Sequence, residues 1–95
     1  MGLAVFDWDE NNRRKLKAHR VTTADVEQAL SQAPILVYEQ EAHDEVRYVY
    51  YGETKRGRLL AIVLTERADK IRVITAYTLD AGQKRDYLER RARGE

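Results

Sequence analysis

His19 carries the one imidazole that sits in a patterned segment of the chain, and with an ordinary pKa near neutrality it could serve as a general acid or base. Its alternative role is packing beside Leu16 with a bond to a backbone carbonyl. The second imidazole, His43, lies in an acidic stretch, Glu39–Glu45, that reads as a solvated loop. The cations form three groups. Lys55, Arg56 and Arg58 surround a glycine at Gly57, and a guanidinium fork matches the oxygens of a phosphate in geometry. Arg13, Arg14, Lys15, Lys17 and Arg20 crowd one short segment, as a solvated helix face or as a contact surface for RNA or an acidic partner. Arg67, Lys70 and Arg72 make the third.

Register arithmetic decides which of these can act together. Pairing Thr65 near Ile71 across the last hairpin brings Arg58 beside Tyr77, with Lys55 and Arg56 at the same end and Arg85 and Tyr87 within reach from the C-terminal segment. Arg67, Lys70 and Arg72 then collect at the opposite end, about 30 Å away along an extended strand, so the two groups cannot hold one phosphate. The competing reading of the first end is a solvated hairpin tip with an Arg58–Glu53 cross-strand ion pair.

The elements that would position these groups follow from patterning. Leu3–Trp8 reads as a short first strand, and Asp9 as the N-cap of a helix to Arg20 whose inner stripe, Asn12, Leu16 and His19, is unusually polar. Trp8 anchors that helix to the sheet. Thr22 and Asp25 form a capping box, with Val21 and Val26 as its hydrophobic staple, for a second helix over 23–32 that Pro34 stops. Extended segments follow at 35–38, 46–52, 58–65 and 70–77, with turns at 54–57 and 66–69. A basic helix spans 80–93. Helices set apart from meandering strands predict an α+β domain, a small antiparallel sheet with two N-terminal helices and one C-terminal helix.

Composition narrows the chemistry further. Ninety-five residues, 43% hydrophobic and 35% charged, predict one domain over 1–95 with a modest core. Zero cysteines exclude disulfides and thiolate zinc sites, and two histidines are too few for a His-rich metal centre. No metal or cofactor is expected. A net charge of +1 means any nucleic-acid contact depends on where the charges sit. No signal peptide, bilayer span or Gly-rich phosphate loop is present, which predicts a cytoplasmic protein with no membrane partner.

Phe6-Asp7-Trp8-Asp9, Asn12 and His19-Arg20-Val21 resemble the opening of BrnT-type toxins. The likeness continues through Thr23–Leu30, Gly52-Glu53-Thr54-Lys55-Arg56-Gly57-Arg58-Leu59-Leu60, Thr65-Glu66-Arg67 and Ile71–Ala76. The resemblance implies a RelE-like fold and a type II toxin–antitoxin role. It further implies a ribosome-independent, metal-independent endoribonuclease that halts translation, with RNA as substrate. A DNA-binding antitoxin would neutralise it, its dimer bridging two toxin copies in a heterotetramer. On that basis His19, Arg58, Tyr77 and Tyr87 are the expected catalytic residues, and Lys55, Arg56, Arg85, Arg13 and Lys17 the expected RNA contacts. The chain departs from the family pattern at three positions: Arg20 where many members carry Gly, Tyr77 where they carry Arg, and Gln83 where they carry Glu. Loss of one electrostatic donor near a transferring phosphoryl group removes about 3–4 kcal/mol of transition-state stabilisation. A non-catalytic toxin-like binding module and a small RNA-binding domain are therefore the alternative readings.

Overall fold

The computed structural model describes residues 5–95. The two short helices α1 (Glu10–Ala18) and α2 (Thr23–Ser31) precede four strands, β1 (Ile35–Ala42), β2 (Glu45–Glu53), β3 (Leu59–Arg67) and β4 (Lys70–Thr78), and α3 (Ala81–Ala92) ends the chain. The fold is α+β, and the sheet is antiparallel throughout, in the order β1-β2-β3-β4. Among the described residues no helix is long and apolar enough to cross a membrane.

Each helix starts at a reciprocal cap, which satisfies backbone donors that the first turn leaves open. Asp9 and Asn12 cap α1, Thr22 and Asp25 cap α2, and Asp80 and Gln83 cap α3. The polar stripe on α1 thus has a structural reason. Asn12 is buried because its side chain closes the cap and donates from Nδ2 to the Asp7 carbonyl at 2.9 Å. Trp8 stacks on Phe6 and donates from Nε1 to Glu27 of α2.

Side chains alternate across the strands, so the sheet supports two cores. Leu16, Val26 and Ala29 from the helices and Val21 from the link between them pack on Leu60, Ile62, Leu64, Val73 and Ala76. On the second face Leu79 and Tyr87 pack with Ile35, Tyr51 and Ala61. Gly52 sets the approach of α2: a Cβ there would lie 2.9 Å from the Cβ and the carbonyl oxygen of Ala29.

Four expectations need correcting. The first strand reduces, among the described residues, to one parallel bridge between Phe6 and Ile71, because Asp9 turns the chain into α1 at once; Leu3 and Ala4 lie outside the described residues. The acidic stretch is not a loop. Glu39–Ala42 continue β1, and only His43 and Asp44 turn, both with left-handed φ (52° and 60°) as a two-residue type I′ hairpin requires. The last hairpin is shifted by one residue from the predicted register, Thr65 pairing with Arg72, and turns at Ala68 and Asp69. The bulge between Val63 and Leu64 widens the shift to two residues, so Tyr77 stands opposite Ala61 rather than beside Arg58. Finally, β2 and β3 carry no Arg58–Glu53 ion pair: Leu59, not Arg58, stands opposite Glu53.

Candidate functional site

Arg58 precedes β3 at the end of the sheet where the β2–β3 hairpin turns through Gly57, whose φ of 83° suits glycine. Its guanidinium reaches back 38 and 39 residues to the link between α1 and α2. It donates from Nη1 to the Arg20 carbonyl (2.6 Å) and from Nη2 to the His19 carbonyl (3.2 Å). Nε and Nη2 both donate to Thr78 Oγ1 at the end of β4 (3.1 and 2.9 Å), and the Asp25 carboxylate lies 3.7 Å from Nη1. A helix C-terminus carries partial negative charge on its free carbonyls, and Arg58 answers it there.

His19 is the C-cap of α1, and its backbone N–H donates to Leu16. Its imidazole is exposed, with the ring centroid 5.9 Å from that of Tyr77 and the planes tilted by 51°. The Tyr77 hydroxyl accepts from Gln83 Nε2 at 3.3 Å. His19 therefore joins Arg58, through its carbonyl, to Tyr77, through its ring. Tyr77 and Gln83, two of the three departures from the family pattern, are themselves in contact.

The free cations gather around this end. Arg13, Lys17 and Arg20 follow one another at i, i+4 and i+7 and line a cleft of ≈ 830 Å³ with Leu16, Val21, Thr22 and Thr23. Among the described residues none of the three has a carboxylate partner, nor do Lys55, Arg56 or Arg85, all exposed. The Lys55 backbone is tied to Gln28 of α2, which fixes the hairpin tip.

Tyr87 does not join the cluster as expected. It is buried in the second core, its hydroxyl donating to Glu53 and accepting from Arg91 Nε, with the Arg91 guanidinium 5.1 Å from its ring. At the opposite end two members of the third basic group, Arg67 and Arg72, are already paired, and only Lys70 has no carboxylate partner among the described residues. Arg67 and Arg47 both bond Glu45, and Arg72 bonds Asp9 at 2.7 Å with Asp7 at 3.6 Å. The Asn12 backbone N–H and Arg72 hold the Asp9 carboxyl below its ordinary pKa, Arg67 does the same for Glu45, and Asp9 raises that of Arg72. No ion pair joins the acidic stretch to Arg13–Arg20 among the described residues. Sequence reasoning missed Asp25, Thr78 and Gln83 as partners of the site; for Gln83, its place three residues after the cap Asp80 was the available signal.

Comparison with curated proteins and with solved structures found no match. The family model for the ribonuclease toxin BrnT of type II toxin–antitoxin systems matches residues 8–82, a stretch that contains His19, Arg58 and Tyr77 and excludes Gln83, Arg85 and Tyr87. With its ordered motifs matched over most of its length, the chain belongs to the BrnT family of type II ribonuclease toxins.

Proposed function

We propose that the chain cleaves RNA without a metal, by transesterification at the end of the sheet built by His19, Tyr77 and Arg58. The carrying observation is the meeting of an exposed imidazole and a phenol at 5.9 Å beside cations that have no carboxylate partner. The His19 imidazole takes the proton of a ribose 2′-hydroxyl. The 2′-oxygen then bonds phosphorus, the bond from phosphorus to the 5′-oxygen breaks, and the leaving oxygen takes a proton from water, while His19 returns the one it accepted to solvent. The products are a 2′,3′-cyclic phosphate and a 5′-hydroxyl. Tyr77 supplies a hydrogen bond to the phosphoryl oxygens. Arg58 positions His19 through its carbonyl, because most of its fork is occupied by protein acceptors. Arg13, Lys17, Lys55, Arg56 and Arg85 take flanking phosphates.

In the same reading, cleavage stops translation in the cytoplasm. A DNA-binding antitoxin restrains the toxin, its dimer joining two copies. The occupied fork of Arg58 favours one competing reading, a module that keeps the antitoxin contact and no longer cuts. End-labelled RNA incubated with the chain in excess EDTA separates the two. The expected result is cleavage leaving cyclic phosphate ends, reduced at least about 100-fold in His19→Ala, the usual scale for a lost general base. A folded wild-type protein that leaves the RNA intact selects the binding module. Lys17→Ala lowers RNA affinity and flattens its salt dependence by about one unit of slope.

A further inference from the structure

The helices cover only part of the sheet face on which they pack. Beyond the end of α2, that face continues as Leu36 on β1, Val46, Tyr48 and Tyr50 on β2, Leu64 on β3 and Ile71 on β4. Leu30 and Pro34 wall a cleft of ≈ 150 Å³ there with Tyr50, Leu64, Glu66 and Ile71. Leu36 and Val46 are 42% and 38% exposed, more than apolar strand residues over a finished core.

The charges on this surface have one sign. Glu39 stands opposite Tyr48, Glu41 opposite Val46, and Glu66 lines the cleft. Burial raises the Tyr50 pKa, and Glu66 and Glu39 raise it further, which agrees with both carboxylates facing that ring. Strand alternation sends Arg47, Arg67 and Arg72 to the other side, where carboxylates hold them. An RNA backbone is repelled here. A second copy docked about a twofold axis would bring these uncompensated carboxylates against one another.

We infer that this open, acid-rimmed half of the sheet seats the antitoxin, through a helix whose apolar stripe is flanked by Lys or Arg. An apolar stripe fills the groove between Leu36, Tyr50 and the Leu30–Pro34 wall, and cations on either side meet Glu39, Glu41 and Glu66. The seat runs from the level of Ile62 to that of Glu66, about 13 to 26 Å from Arg58 along β3 and on the helix face rather than at the sheet end, so binding and obstruction of the cleavage end are separate acts of the partner. The inference rests on the antitoxin partner that family membership implies and is independent of the cleavage chemistry.

The test titrates labelled antitoxin, purified from the reading frame adjoining the gene for this chain, with the wild-type chain and with surface variants. Leu36→Lys and the double variant Glu39→Lys/Glu41→Lys change exposed positions, and circular dichroism confirms their folding. Each is expected to weaken binding at least tenfold, the double variant also flattening its salt dependence, while Lys17→Glu at the cleavage end binds as the wild type does. Affinities within twofold of wild type for both face variants overturn the inference. So does loss confined to Lys17→Glu, which moves the antitoxin to the cleavage end. Sedimentation showing a dimer of the free chain that Leu36→Lys dissolves assigns the face to a second copy instead and overturns it equally. None of these readouts uses RNA, so a chain that fails to cut RNA leaves the outcome readable.

Discussion

Replacing Arg58 by alanine should unfold the protein at a much lower temperature before it says anything about catalysis. The side chain links the α1–α2 turn, the start of β3 and the end of β4 through the carbonyls of His19 and Arg20 and through Thr78 Oγ1. A charged donor contributes about 1.5–3 kcal/mol to a sheltered hydrogen bond. Arg58 and Asp25 are 32% and 28% exposed, so water replaces part of each contact. The three acceptors together then lose about 2–3 kcal/mol rather than the full sum. For a domain of this size each kcal/mol is about 4–8 °C, which places the fall in Tm at about 8–24 °C. Arg58→Lys keeps the charge near Asp25, a surface attraction of about 0–1 kcal/mol, but has no fork, so it should melt nearly as early as the alanine variant. Thermal unfolding followed by circular dichroism reads both. A Tm within 3 °C of wild type for Arg58→Ala would refute the tether. A lysine variant with restored Tm and no RNA cleavage would identify the guanidinium as a phosphate clamp instead.

Asn12→Asp keeps the size of the buried capping residue but removes the donor that meets the Asp7 carbonyl; urea unfolding should show a loss of about 1–3 kcal/mol, and an unchanged midpoint would contradict the cap. The folded-state pKa values of Asp9 and Glu45 lie below their ordinary 3.8 and 4.5, so each contributes stability above those values that disappears as pH falls through the folded pKa. Tm measured against pH should therefore decline below about pH 4.5, and Arg72→Gln should make the decline shallower by releasing Asp9.

The sequence exposes those features whose causes are local. Thr22 and Asp25 with Val21 and Val26 spell out α2, and both valines are buried as a staple requires. The joining of the β2–β3 tip to the Tyr77 end follows from counting residues along two strands; the register error grows from one residue to two at the bulge near Val63, still too small to change which end of the sheet they share. Glu39–Glu41 escaped because β1 is an edge strand, with all three residues exposed, and charge on such an edge replaces the alternation that marks a half-buried strand. The partners of Arg58 are carbonyl groups nearly forty residues away, and a backbone acceptor leaves no trace in residue type. Tyr87 was misplaced for a related reason: one helix turn decides whether an aromatic faces the second core or the cleft, and Gly82 blurs the pattern of α3.

Because neighbours in the sheet are also neighbours in the chain, every strand pair closes across a connection of two to five residues. Such short-range topology makes the search for the native state fast, and none of the pairings among the four strands waits on a distant segment. A chain with this arrangement is expected to regain its shape on dilution from guanidinium without an inhibitor as a template, which recovery of the native circular dichroism would check.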